Sequence, residues 1–322
     1  MSAELALIQQ VKSLQLYIPQ EILFTSSGSW TALYDCRVLV SIGGGGGSGG
    51  ARSSAPATAS GGGAGGFSQK LIRLTAGDVL SFTVGAGGAT VNGNSNGVAG
   101  GTTTLTGPSI SLTANGGAGG LQAANAGVSG VAGGTASGGM INNTGGGSGS
   151  ISWVGTAYGA TAGGSVGIYN TTGPSSGSIT AIQGGFSFVT SSPSVKYNSP
   201  NVDGTVGSNV IGAGAGTAEP PYPITGSTFS RMGTGVSARL LNPGHHGISG
   251  TVVTTYNMTN AQLGAGANPF CGGSAVITTG GAWTAVGYWG CLGGGGGGCV
   301  SANSTATSGA GGSGFVILEV FI

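Results

Sequence analysis

Charge is what this sequence has least of. Its 322 residues include eight Lys and Arg and seven Asp and Glu, 5 % in all, against about 25 % in an average soluble chain. The few cations form no basic stripe, which removes the main driving term for binding phosphate backbones and excludes nucleic acid as a partner. The acids are too sparse for glycoside cleavage, which needs two carboxylates about 5–10 Å apart in one groove. Asp35 and Glu319 fall in strand-like stretches and Asp78 in a tight turn. Asp203 and Glu219 are the only pair in loops, where solvated charges account for them.

Histidine and cysteine are also scarce. The only histidines are the neighbours His245 and His246, and Cys36, Cys271, Cys291 and Cys299 include no Cys-x-x-Cys pair. A zinc site wants paired ligands, so neither a metal nor a cofactor is expected. The cysteines read as small buried thiols, with a Cys291–Cys299 bridge as the alternative. No basic region precedes the apolar residues of the N-terminus, so the start does not read as a secretory signal. No apolar run approaches the roughly 18 residues of a spanning helix. Synthesis and assembly in a cytosol are expected.

What the chain does have is glycine, 74 residues of it. Glycine costs roughly 0.5–1 kcal/mol more than alanine at an interior helix or strand position. Long runs are therefore either disordered linkers or packed forms in which no side chain fits, as in collagen. Low charge and a positive mean hydropathy of +0.28 argue against a solvated coil. An ordered, glycine-built fold follows, in which backbone hydrogen bonds carry an unusual share of the structure.

The run Cys36–Ile42 is apolar and β-branched, reads as a buried strand, and opens directly into Gly43–Gly47. Before it, Ser2–Ile18 reads as a helix: Ser2 caps it, Pro19 stops it, and Leu7, Val11, Leu14 and Ile18 form a short apolar seam. Gln20–Ile42 reads as strands around a turn at Ser26–Ser29. Lys70–Leu74 and Val79–Val84, joined by Thr75-Ala76-Gly77-Asp78, read as a hairpin. Gly314–Phe321 reads as a buried strand returning to pair with the first sheet. Glycine tracts at 62–66, 85–88, 116–120 and 309–312 share a near-identical core without any fixed repeat length, which excludes a regular solenoid.

Gly-x-Ser-x-Gly occurs around Ser48 and Ser165, and Gly-x-Gly-x-x-Gly recurs. Neither serine begins a helix, and no strand–loop–helix unit or Gly-Lys-Ser/Thr accompanies the glycines, so chance in a glycine-rich text explains both.

Several motifs occur together in order. Phe24, Gly28, Trp30 and Thr31 precede the Val38–Ile42 strand and its glycine run; then come Leu74–Asp78, Thr83–Gly88 and the ending Gly309–Ile317. Over residues 24–322 the chain resembles the glycine-rich domain at the tail-fibre tips of tailed bacteriophages, and is similar to the distal adhesin of T-even-like phages. Ala32-Leu33-Tyr34 departs from the pattern, where the family usually has Pro after Trp-Thr. The resemblance implies a layered bundle of polyglycine II helices whose connecting loops project at the far tip and touch a bacterial surface receptor. It implies no enzyme activity and a place in the virion.

The expected fold is thus mainly β and irregular. Residues 1–42 form a docking helix and first strands. Residues 43–322 form the glycine-rich bundle, with strands in 67–112, loops over 140–300 and a closing strand at 314–321. The 1–42 region would attach to a tail-fibre or baseplate protein, or form a homotrimer. Loops rich in aromatics, which supply large rigid contact area with a polar handle, are the expected receptor site: Tyr197, Tyr222, Phe229, Tyr256, Trp283, Tyr288 and Trp289, with His245 and His246 in a Pro-Gly turn beside them. The receptor would be an outer-membrane protein or a polysaccharide. The alternative is a structural or ice-binding glycine-rich protein, against which the irregular aromatic loops count.

Overall fold

The computed structural model describes residues 20–54, 56–153, 158–161, 163–167, 179–181, 270, 272–273, 276–278, 285–301 and 305–321. These residues are all strand or irregular, with no helix among them. The expected Ser2–Ile18 helix lies outside them.

Alternating apolar residues build a sandwich of two five-stranded antiparallel sheets. The first runs in the order Gln20–Phe24, Phe315–Phe321, Cys36–Gly43, Phe67–Leu74, Ile141–Asn143. The second runs Ala136–Ser137, Ile110–Ala114, Thr103–Gly107, Val79–Thr83, Gly28–Thr31. Val38, Val40, Ile42, Ile72, Leu74, Val316 and Leu318 from the first meet Leu80, Phe82, Leu105 and Leu112 from the second in one buried core. As expected, the C-terminal strand returns to the first sheet, pairing on both sides. It is also buried on both faces, because Phe315 and Ile317 enter a second cluster with Phe67, Phe270 and Val166. A continuous apolar run is what such a strand requires.

Two local expectations are corrected. Phe67–Leu74 and Val79–Thr83 do not pair as a hairpin; they belong to different sheets. The turn between them is as tight as expected, with Asp78 N–H donating to Thr75 O at 3.0 Å and Gly77 at φ 92°. It carries the chain from one sheet to the other, and the strands' inward side chains meet across the core instead of along a ladder. Gly-Asp turn chemistry and period-2 alternation are the same for both arrangements. Likewise Gly28 and Ser29 are not turn residues but open the strand Gly28–Thr31, which pairs with Val79–Thr83 and not with Gln20–Phe24. Asp35 precedes its strand, exposed, and accepts Ala76 N–H at 2.9 Å.

The Cys36–Gly43 strand continues without a break into the 43–50 tract, around which the glycine part is built. Its amides point in three directions in strict rotation, with bonds of 2.8–3.0 Å. Those of Gly44, Gly47 and Gly50 reach Gly66, Gly63 and Ser60. Those of Gly45 and Ser48 reach Gly101 and Val98, and those of Gly46 and Gly49 reach Gly312 and Gly309. Its carbonyls accept from three further tracts: Gly45 and Ser48 from Gly117 and Gly120, Gly46 from Gly88, and Gly47 from Gly296. Neighbours therefore surround it on all sides, and glycine is dictated by their approach. A Cβ on Gly46 would stand 1.9 Å from Gly294 O, and one on Gly47 2.1 Å from Ala118 O.

Candidate binding surface

The tract ends at Ala51–Arg52, where short strands replace it. Cys299–Ser301 pairs with Ala51–Arg52, and Gln122–Ala124 with Ala57–Ala59. Residues 91–97, Val-Asn-Gly-Asn-Ser-Asn-Gly, fold over this end. Ala51 and Ser95 exchange backbone bonds at 3.0 Å each, and Gly93, at φ 70°, donates to Ala306 O. Each of the three asparagines is exposed and uses its carbonyl oxygen inward. Asn92 Oδ1 accepts Thr307 Oγ1–H at 2.7 Å, Asn94 Oδ1 accepts Ser53 N–H at 2.9 Å, and Asn96 Oδ1 accepts Gln122 N–H at 3.0 Å. Arg52, half-buried, donates through Nε to Ser54 Oγ and through Nη1 to Gln122 Oε1, both at 2.9 Å.

An aromatic pair flanks this end. Tyr288 is half-buried and packs, with Val91, against Ala51, Ala285, Cys299 and Ala306. Trp289 beside it is 69 % exposed. Val91, the first residue of the asparagine turn, and Tyr288 of the flank thus rest on the same buried cluster.

Of the residues expected at the receptor site, Tyr288 and Trp289 are placed on this flank. Tyr197, Tyr222, Phe229, His245, His246, Tyr256 and Trp283 lie outside the described residues, as do Asp203 and Glu219. Asn92, Asn94, Asn96, Arg52 and Gln122 were not among the expected site residues. Their signal was the alternation of Asn with Gly and Ser straight after a glycine tract, which marks a turn, and an isolated arginine straight after another.

The two Gly-x-Ser-x-Gly serines serve packing. Ser48 is fully buried and accepts Val98 N–H at 2.8 Å; Ser165, also buried, accepts Gly272 N–H at 3.1 Å. Cys36 and Cys299 are free thiols, so the Cys291–Cys299 bridge is not formed, and Cys271 lies outside the described residues. Burial pushes the Cys299 thiol up to about 12, against a smaller lowering by backbone hydrogen bonds from Thr307 and Gly287. Burial also raises Cys36, helped by the negative charges of Asp35 and Asp78.

At the other end of the same segment, where Cys36 begins its strand, a cavity of about 200 Å³ opens between Ile22, Trp30, Leu33, Tyr34 and Val320. Leu33 is 76 % exposed beside it. Gln20, at which the described chain begins, is also part of its lining.

No protein-family model matches the chain, and no curated protein matches it.

Proposed function

We propose that this protein is a non-enzymatic receptor-binding adhesin at the tip of a bacteriophage tail fibre. It would attach the virion to an outer-membrane protein or polysaccharide of its bacterial host, and be assembled in the host cytoplasm. The observation that carries this reading is the rotation of amide directions along the 43–50 tract. Three directions in turn are what a polyglycine II helix presents, since helices of this class have three residues per turn, rise about 3.1 Å per residue and form no internal hydrogen bonds. We therefore read the tracts as a polyglycine II bundle. Its backbone groups are satisfied only by neighbours, so it makes a rigid shaft from a glycine-rich text, with loops left to its ends.

The polarity of the 36–52 segment supports the same reading. One end offers the apolar cavity and exposed Leu33, suited to attachment through residues 1–42 to a tail-fibre or baseplate protein, or to other copies as a homotrimer. The other offers the asparagine turn and Trp289. Ser48 and Ser165 have their hydroxyls committed to neighbouring tracts, which supports binding over hydrolysis.

The test is binding of the fluorescently labelled protein to a panel of bacterial strains, including mutants lacking single surface molecules. Saturable binding that vanishes with one surface molecule is the expected result. Binding to no strain, with ice growth altered instead, would replace the adhesin by the ice-binding alternative.

A further inference from the structure

In the 91–97 turn the asparagine oxygens are all turned onto the protein, and beside them Arg52 carries donors and no acceptor. A side-chain amide has one carbonyl oxygen and two N–H donors. In Asn92, Asn94 and Asn96 the oxygen is occupied by Thr307, Ser53 and Gln122, while none of the Nδ2 groups donates to any described residue. Gln122 Oε1 is taken by Arg52, and Gln122 Nε2 turns back to Asn94 O at 3.4 Å. Arg52 spends two of its five N–H donors on the neutral oxygens of Ser54 and Gln122 and meets no carboxylate among the described residues. The described carboxylates, Glu21, Asp35, Asp78 and Glu319, all belong to the sandwich strands or the bends at their ends. Among the described residues the result is a donor-rich surface of exposed asparagines beside the half-buried Arg52.

We infer that Arg52, Asn92, Asn94 and Asn96 form a binding site for a carboxylate-bearing polysaccharide. This names the ligand class of the proposed adhesin and rests on that reading. A neutral sugar hydroxyl would accept from the amides but find few acceptors for its own proton. A carboxylate is acceptor-only, can take two donors side by side, and makes charge-assisted bonds roughly twice as strong as neutral ones. Exposed Trp289, next to Tyr288 on the flank, supplies the amphipathic flat face that a sugar ring covers and a flexible acidic peptide does not need.

Asn→Asp substitution tests the site without dismantling it. The retained oxygen of Asp still accepts from Ser53 or Gln122, so the turn stays closed, while the outward N–H₂ becomes a second carboxylate oxygen. The full chain, the double variant Asn94→Asp/Asn96→Asp and, separately, Arg52→Gln are titrated with polygalacturonate, neutral dextran and poly-glutamate at low salt, alongside thermal melts. The wild type is expected to bind polygalacturonate in preference to the other two. Both variants should bind it at least about tenfold more weakly with unchanged melting. Binding of dextran or poly-glutamate as tight as that of polygalacturonate, no binding of polygalacturonate, or a double variant that binds as the wild type does, each overturns the proposal. Whole-cell attachment separates it from the adhesin reading. Wild type and double variant attaching equally to cells would sink the polysaccharide site and leave the adhesin standing. Binding of polygalacturonate with attachment to no strain would do the reverse.

Discussion

Ser48 and Val98 are joined twice, Ser48 N–H donating to Val98 O at 2.9 Å and Val98 N–H donating to Ser48 Oγ at 2.8 Å. The same reciprocal pair recurs between Ser60 and Leu121, Ser148 and Val131, and Ser308 and Val91. In each, a buried serine hydroxyl stands in for a backbone carbonyl opposite an apolar residue that is itself half-buried or exposed. Such pairs give register to tracts whose glycines are otherwise interchangeable. Ser48→Ala should therefore destabilise the protein by about 1–2 kcal/mol, the range for an orphaned amide that is only partly buried. Guanidinium unfolding measures it, and a change under about 0.5 kcal/mol would remove the pairing role.

Where the sequence carried side-chain patterning, the fold was legible. Val38–Ile42 and Phe315–Phe321 read as buried strands because their residues are, and the return of the second to the first sheet followed from its length and apolarity. The arch at Thr75–Asp78 was not legible, because a turn's residues set its tightness and not the sheet its far arm joins. Nor was the partner of any tract, since glycine presents one surface to every neighbour; the serine pairs that distinguish tracts span separations from 17 to 217 residues. At the site, Trp289 was legible as an exposed aromatic. Asn94 and Asn96 were not, because a turn-forming asparagine and one that also displays donors are spelled alike, and only the direction of Oδ1 separates them.

Gly46 and Gly93 are glycine for different reasons, and alanine should separate them. A Cβ on Gly46 meets the Gly294 carbonyl at 1.9 Å, backbone against backbone, with no side chain to swing aside. Gly46→Ala should cost more than about 4 kcal/mol, enough to threaten folding of a domain of ordinary stability. Gly93 has open space around its Cβ direction and only a positive φ of 70° to hold. Gly93→Ala should cost about 1–2 kcal/mol, the ordinary penalty of the left-handed region. Soluble yield and melting temperature of the two variants, compared side by side, check this. Equal effects would mean that conformation and not close approach selects glycine in the tracts.

Cys299 predicts an alkaline limit to stability. Its thiol titrates near 12 when folded, against 9.0 for an unperturbed cysteine. The raised value means that below pH 9 both states keep the proton and the full contribution is present. Between pH 9 and 12 the unfolded chain ionises first, so stability falls as pH rises through that window. At about 1.4 kcal/mol per pKa unit, the loss is on the order of 4 kcal/mol. Cys299→Ala should flatten this limb of the stability–pH curve while costing a small cavity at neutral pH. A limb unchanged in that variant would assign it to other groups.

Tyr288 and Trp289 are adjacent in sequence and opposed in role. Tyr288 lies half-buried against Ala51, Ala285, Cys299 and Ala306, so Tyr288→Ala should destabilise the protein by about 1–2 kcal/mol, part of the cost of a fully buried side chain. Trp289 is 69 % exposed, and Trp289→Ala should leave stability within about 0.5 kcal/mol of wild type. On a receptor-binding surface an exposed tryptophan is the strongest kind of contact residue, and its loss should weaken attachment to host cells at least about tenfold. Melting curves and cell-binding isotherms on both single variants separate the two roles. If Trp289→Ala lowers the melting temperature as much as Tyr288→Ala does, the indole caps the bundle and the flank is not where the receptor sits. If Trp289→Ala melts like wild type and no longer holds cells, the flank and the asparagine turn beside it are one binding surface.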